Sequence, residues 1–275
     1  MKDINLAFIG GGNMARSLIG GLLNDGLLAD RIWVADPNPT TLEGIRDDFA
    51  AHTTSDNAEA VRQAQVVILA VKPQQIKSVA QELASTIGSN HPLVISIAAG
   101  IREQNLRSWL GEGVAIVRTM PNTPALVRSG ATVMFANNAV NKEQKNLAES
   151  ILRAVGMTLW IEDENLMDAV TALSGSGPAY FFLIMDAMQN AGEQLGLPGN
   201  TARLLTLQTA LGAAKMALES TEELTELRQR VTSPGGTTER AIHVLQDHHL
   251  DKIFDEALRA AHQRSIELAK LFGDK

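Results

Sequence analysis

The run Gly10-Gly11-Gly12-Asn13-Met14-Ala15, set directly after Leu6-Ala7-Phe8-Ile9, constrains this chain more than any other stretch. Four apolar residues in a row suit a strand covered on both faces. The G-x-G-x-x-A spacing gives each small residue a task. Gly10 makes a tight turn, Gly12 lets a ligand approach the main chain, and Ala15 lets a helix pack closely on the strand. Met14, Leu18, Leu22 and Leu23 keep a helical spacing until Gly26 ends it. A second apolar run, residues 32–35, leads into Asp36, roughly 20 residues past the glycines, where a dinucleotide site carries its acidic residue. Strand, glycine turn, helix, strand and acid together predict a dinucleotide site, which a lone glycine pattern would not.

Asp36 poses a question about which dinucleotide. A carboxylate there accepts hydrogen bonds from the ribose 2′-hydroxyl of NAD and repels the 2′-phosphate of NADP. Asn38, Thr40 and Thr41 follow as neutral donors able to hold a phosphate if Asp36 turns away, and Arg46 falls on the next helix. Further apolar runs at 66–71, 93–97, 115–118, 131–135 and 157–161 extend the alternation into a doubly wound sheet, with right-handed crossovers gathering its loops on one edge. Ala70, Val71, Lys72 and Pro73 close one such run. Lys72 reads either as a phosphate or nicotinamide-side contact or as a surface lysine before a proline-opened helix. Ser55, Asp56 and Asn57 read as a loop or helix cap near the adenosine end. Ala98, Ala99 and Gly100 are small enough for a flat ring to lie close, and Asn122 and Thr123 sit between Pro121 and Pro124 as side-chain donors on a rigid loop.

From about Asp163 the strand-like runs stop. The expected division is a dinucleotide-binding domain over 1–162 and a helical domain over 163–275. Met167, Val170 and Leu173 start a helical pattern that Ser174-Gly175-Ser176-Gly177-Pro178 interrupts, and Tyr180 to Met185 is apolar on every side of a helix. Such a helix wants burial all round, which a domain of about 110 residues seldom supplies alone, so it predicts a subunit interface. Leu250, Ile253, Phe254, Ala257, Leu258 and Ala261 mark a last amphipathic helix. Within this half, Ser233-Pro234-Gly235-Gly236 cannot continue a helix, and Thr237-Thr238-Glu239 begins one. A turn that delivers free amides to a helix start favours an anion.

Composition excludes much else. The net charge of -7 leaves no basic footprint for nucleic acid. With no cysteine, thiolate nucleophiles, Fe–S clusters and Cys-ligated zinc are ruled out, and none of the six histidines makes a helical metal pair, so no metal is expected. No run approaches the ~18 apolar residues of a membrane span, and the N-terminus lacks a signal-peptide shape. The expectation is a soluble, cytoplasmic protein.

Ser174-Gly175-Ser176-Gly177-Pro178-Ala179-Tyr180 and Val231-Thr232-Ser233-Pro234-Gly235-Gly236-Thr237-Thr238, with Ala70-Val71-Lys72-Pro73 and Asn122-Thr123-Pro124, resemble the pyrroline-5-carboxylate reductases over nearly the whole chain. The resemblance implies a Rossmann domain followed by an all-helical dimerisation domain. It also implies hydride transfer from NAD(P)H to the C=N carbon of 1-pyrroline-5-carboxylate, giving L-proline in the last step of proline biosynthesis. NADPH is expected to be favoured over NADH, against the plain reading of Asp36. A homodimer of interwoven helical domains, often built into a decamer, is expected to complete each substrate site from the partner. Carried onto this sequence, the cofactor contacts are Ile9, Gly10, Gly11, Gly12, Asn13, Met14, Asp36, Asn57, Ala70, Val71, Lys72, Pro73, Ala98 and Ala99. The substrate contacts are Ser176, Ser233, Gly235, Gly236 and Thr237, and the catalytic residue is Thr238. Arg230 stands where the family often has asparagine and receives no role. Two rivals remain: an imine or β-hydroxyacid reductase with a lysine acid, although no lysine lies between Asp163 and Leu211, and a protein that binds the dinucleotide only as a signal.

Overall fold

Leu6, Phe8, Val34 and Ile68 point into one apolar cluster, while their neighbours Ala7, Ile9, Ala35 and Val67 point into another. The computed structural model, which describes residues 4–273, therefore holds a sheet buried on both faces. That burial accounts for strands written as unbroken apolar runs. In chain order the first part comprises β1 (Leu6–Ile9), α1 (Asn13–Asn24), β2 (Ile32–Ala35), α2 (Pro39–Phe49), β3 (His52–Thr54), α3 (Asn57–Arg62), β4 (Val66–Leu69), α4 (Pro73–Asn90), β5 (Leu93–Ser96), α5 (Glu103–Leu110), β6 (Ile116–Met120), β7 (Gly130–Ala136), α6 (Lys142–Arg153) and β8 (Gly156–Trp160). Leu18 and Leu22 of α1 and Ile151 and Leu152 of α6 cover one face; Val61 of α3, Ile76 and Leu83 of α4 and Leu106 of α5 cover the other.

The strands lie in the order β3-β2-β1-β4-β5-β6-β7-β8. Pairing is parallel from β3 through β6, and β1 lies between β2 and β4, so the strand order reverses beside it. Such a reversal opens a crevice at the carboxyl ends of the strands. One expectation needs correcting: β7 runs antiparallel to β6. Only residues 121–129 separate the two strands, whereas a parallel crossover needs about a dozen or more. β8 pairs parallel to β7 after the α6 crossover, so its end lies at the opposite edge from the loops that follow β1, β4 and β5. A short strand, β3, also forms where no apolar run announces one.

Helices alone follow: α7 (Met167–Val170), a π-helical turn over Thr171–Gly175, α8 (Gly177–Gln194), α9 (Gly199–Glu219), α10 (Leu224–Arg230), α11 (Thr237–Asp247) and α12 (Leu250–Gly273). Strands cease at Trp160, but the compact units are Met1–Ser176 with Ala261–Lys275, and Gly177–Ala260. Buried polar bonds explain why the first unit extends past its sheet and takes back the end of α12. Asp168, only 4% exposed, accepts a 2.6 Å hydrogen bond from the Ser265 hydroxyl and lies 3.6 Å from Arg102. Glu164 pairs with buried Arg118 of β6 at 2.7 Å and accepts the Glu103 amide at 2.7 Å. In the second unit Phe181 and Phe182 of α8 are each 64% exposed and Leu204 of α9 is 68% exposed, which leaves the apolar surface expected of an interface helix. Among the described residues no helix is long and apolar enough to cross a membrane.

Arg118→Ala removes the ion-pair partner of the Glu164 carboxylate and leaves it only the Glu103 amide. Urea unfolding is expected to show a loss of about 3 kcal/mol, since removing one member of a buried pair costs more than the pair contributes.

Candidate active site

The glycine loop is built by backbone contacts that tolerate no side chain at its first position. Gly10 has φ +104, and a Cβ there would lie 2.7 Å from the Ala70 carbonyl oxygen and 3.1 Å from Val71 Cγ1. Its amide donates to Ala35 O at 2.8 Å, and the Ala70 amide donates to Ile9 O at 2.8 Å. Ile9, Gly10, Ala70 and Val71 are thereby brought together at the β1–β4 crevice. Gly12 differs: a Cβ there would meet no protein atom within 4 Å. The sequence keeps glycine where the fold does not demand it, and this fits a ligand whose pyrophosphate approaches the start of α1. Asn13 and Met14 open that helix, whose N-cap is Gly12 with no side-chain cap.

Asp36 ends β2 and spends both carboxylate oxygens on the main chain. Oδ2 accepts the Gly11 amide at 2.9 Å and Oδ1 accepts the Asn38 amide at 2.9 Å. Asn38 caps α2 by accepting the Thr40 amide at 3.0 Å, which directs its own NH₂ donors away from the cap. Arg46 lies on α2 as expected and donates to Thr53 at 2.7 Å, and Arg16 pairs with Asp48. Asp56, not Asn57, caps α3; the Asn57 carboxamide lies 3.3 Å from Glu82. Lys72 is the exposed N-cap residue of α4, and Pro73 is its first residue. Ala98 is buried and Ala99 exposed on the loop after β5.

Asn122 was expected to offer donors to a ligand, but its side chain is committed to the protein. Its Nδ2 donates to the Ser174 carbonyl and hydroxyl at 3.3 Å each, and its Oδ1 accepts the Ala131 amide at 2.9 Å. The π-helical turn that carries Ser174 closes with the Ser176 amide donating to Thr171 O at 2.9 Å. Such turns often occur at functional sites. Ser176 is half-buried there.

In the second unit, Ser233-Pro234-Gly235-Gly236 forms a turn closed by the Gly236 amide on Ser233 O at 3.0 Å. Gly235, at φ +71, donates its amide to Glu239 Oε2 at 2.8 Å. Two of the amides expected in the anion cradle thus already have partners, one in the turn and one on α11. Those that the helix geometry leaves without a carbonyl acceptor in α11 belong to Thr237, Thr238 and Glu239. Ser233, Thr237 and Thr238 are exposed. Arg230, just before the turn, is held by Glu222 at 2.8 and 2.9 Å, which raises its already high pKa, so its charge does not titrate near neutrality. Glu239 is the residue that sequence reasoning missed. Its position three after the N-cap Gly236 is capping-box spacing, a signal present in the sequence.

Residues 164–268 match the family model for pyrroline-5-carboxylate reductase dimerisation, and residues 5–100 match that for NADP oxidoreductase, coenzyme F420-dependent. The pyrroline-5-carboxylate reductase of Pseudomonas aeruginosa is 53% identical over 99% of this chain and 100% of its own length. The chain belongs to the pyrroline-5-carboxylate reductase family. A pyrroline-5-carboxylate reductase structure from Coxiella burnetii superposes with a TM-score of 0.93 at 52% identity, covering 96% of this chain and 98% of its own. The Plasmodium falciparum pyrroline carboxylate reductase, solved with NADP bound, gives 0.87 at 30% identity over 98% and 99%. The match at residues 5–100 supports a nicotinamide cofactor, and the dimerisation match at 164–268, which takes in the whole second unit, supports homo-oligomerisation. Among the described residues no group of three or more His, Asp or Glu side chains is placed to hold a metal ion.

Gly12→Ala tests the expected dinucleotide contact. Because the new methyl meets no protein atom, thermal stability should stay unchanged while the Kd for NADPH rises about tenfold or more by fluorescence titration.

Proposed function

We propose that this chain reduces 1-pyrroline-5-carboxylate to L-proline. The observation that carries the reading is that a member of this family has both a nucleotide-type glycine loop, on the first unit, and a helix start with amides left open to an anion, on the second. The substrate has one carboxylate and one imine, and both needs can be met by groups on the chain. The Thr237 and Thr238 amides, with the Ser233 hydroxyl beside them, receive the carboxylate, and the positive end of α11 favours its charge. The Thr238 hydroxyl hydrogen-bonds the ring nitrogen, donating to it in the neutral imine and accepting its N–H in the iminium. As an acid it is far too weak to deliver a proton alone at neutral pH, so the proton arrives on an already protonated iminium or through water. A bound reduced nicotinamide supplies the hydride. Holding the imine carbon in line with the donor accounts for most of the acceleration, and a hydroxyl that also fixes the ring contributes to that alignment. Ser176, on the π-helical turn, is assigned to the substrate side of the site.

NADPH is the preferred donor in this reading, with NADH used less well. Asp36 supports it by turning both oxygens onto the Gly11 and Asn38 amides, which partly offsets its charge, while Asn38 NH₂ and the Thr40 and Thr41 hydroxyls remain as donors to a 2′-phosphate. The functional unit is a homodimer through the exposed apolar faces of α8 and α9, assembled further into a decamer, with each substrate site completed by the partner.

Absorbance at 340 nm with NADPH and pyrroline-5-carboxylate tests the activity, and no oxidation with that substrate would sink it. Thr238→Ala is expected to lower kcat/KM by about 10²-fold with KM for NADPH unchanged. Asp36→Asn removes the charge that opposes a 2′-phosphate and should raise the NADPH-to-NADH ratio of kcat/KM by about tenfold.

A further inference from the structure

We propose that Glu239 is a positioning residue for the reaction: its carboxylate fixes the orientation of the Pro234–Gly235 peptide and so shapes the cradle that receives the substrate carboxylate. The proposal rests on the assignment of that cradle to Thr237 and Thr238 made above. Proline in the second place of the turn, glycine at φ +71 in the third and the closing Gly236-to-Ser233 bond define a type II turn. A type I turn joins the same ends and accepts the same proline, but its central peptide is rotated by about half a turn. Nothing in Ser-Pro-Gly-Gly decides between them, because glycine adopts either conformation.

Glu239 supplies the decision. As the third residue of α11, its side chain lies back over the turn that precedes its own Cα. There Oε2 accepts the Gly235 amide, the N–H of that same central peptide, at 2.8 Å. In an ordinary capping box an acidic residue in this place reaches the N-cap amide. Here the N-cap amide, that of Gly236, is taken by Ser233 O, and Glu239 reaches one residue further. The consequence is a division of labour among neighbouring donors. Gly235 and Gly236 are satisfied by Glu239 and Ser233, and the first helical amides are left aimed at the ligand. The carboxylate also places a negative charge beside an anion site, so its role as an acceptor and its role as a charge act in opposite directions on substrate binding.

Those opposite signs make the test selective. Glu239→Gln keeps an acceptor of the same reach without the charge; Glu239→Ala removes both; Glu239→Asp keeps a charge favourable to the helix start but falls one methylene short of Gly235. Steady-state KM for pyrroline-5-carboxylate, KM for NADPH, and the inhibition constant of L-proline are measured for all three. The expected order of substrate KM is Gln equal to or below wild type, with Asp and Ala raised about tenfold. L-proline inhibition should weaken in parallel, with KM for NADPH unchanged. Asp folds whether or not Ala does, since it retains the charge at the helix start. An unchanged substrate KM in Asp and Ala, or a Gln variant as impaired as Asp, overturns the proposal while wild-type activity stands. Absence of wild-type turnover overturns the underlying reading and the proposal with it.

Discussion

The Asp168 carboxylate is the constraint on which the first unit depends. At 4% exposure its oxygens need partners inside the protein, and those it has come from distant parts of the chain: Ser265 on α12 and Arg102 before α5. Satisfying one charge therefore fixes three segments at once. Close by, Arg118 and Glu164 tie β6 to the same short helical stretch. With α12 held this way, Phe272 and Ala269 pack against Gly100, where a Cβ would meet them at 3.4 and 3.7 Å. The loop carrying Ala98 and Ala99 is thus braced by the far end of the chain. For the proposed contact with a flat ring that support matters, because displacement of a site by a fraction of an ångström is felt in catalysis.

The sheet was legible wherever a strand is buried on both faces. Burial of that kind favours apolar residues, and β1, β4 and β5 are buried throughout and β2 at all but Trp33. β3 was not legible because it lies at the edge of the sheet and reads His-Thr-Thr, with an exposed first residue. The direction of β7 is a matter of connection length, not of composition, and the 121–129 interval carries the information. The π-helical turn at Thr171–Gly175 could be read only as an interruption. It is tied to Asn122, some fifty residues earlier, by a hydrogen bond that no local pattern records.

Site residues divide in the same way. The glycine spacing states what the backbone must do, and Gly10 and Gly12 do two different things that the contact distances separate: one is required by the fold and the other is left open by it. What a sequence withholds is which acceptor a given amide has already found. Asp36 looked like a free ribose ligand, and Asn122 like a free donor; each is engaged by the main chain or by a neighbouring segment. Gly235 looked like part of an open cradle, yet an acidic residue four places on has taken its amide. In each case the group already has a partner within the chain that residue type alone does not announce.

Asp36 and Glu239 reveal one device used in both units. Each carboxylate accepts an amide from a glycine-bearing turn, at Gly11 in one and Gly235 in the other, beside main chain suited to an anion. The arrangement stabilises a loop that would otherwise fluctuate, since glycine loses more freedom on folding than any other residue. It does so at the expense of a negative charge near the intended ligand. Arg230 does not offset that charge for the cradle, because Glu222 holds it with two hydrogen bonds. In the proposed cradle, anion binding then rests on short-range amides at a helix start rather than on a basic surface, in keeping with a chain of net charge -7. Such donors act only over hydrogen-bond distance, so the geometry of the turn, and the carboxylate that fixes it, matter more to recognition than any long-range attraction could.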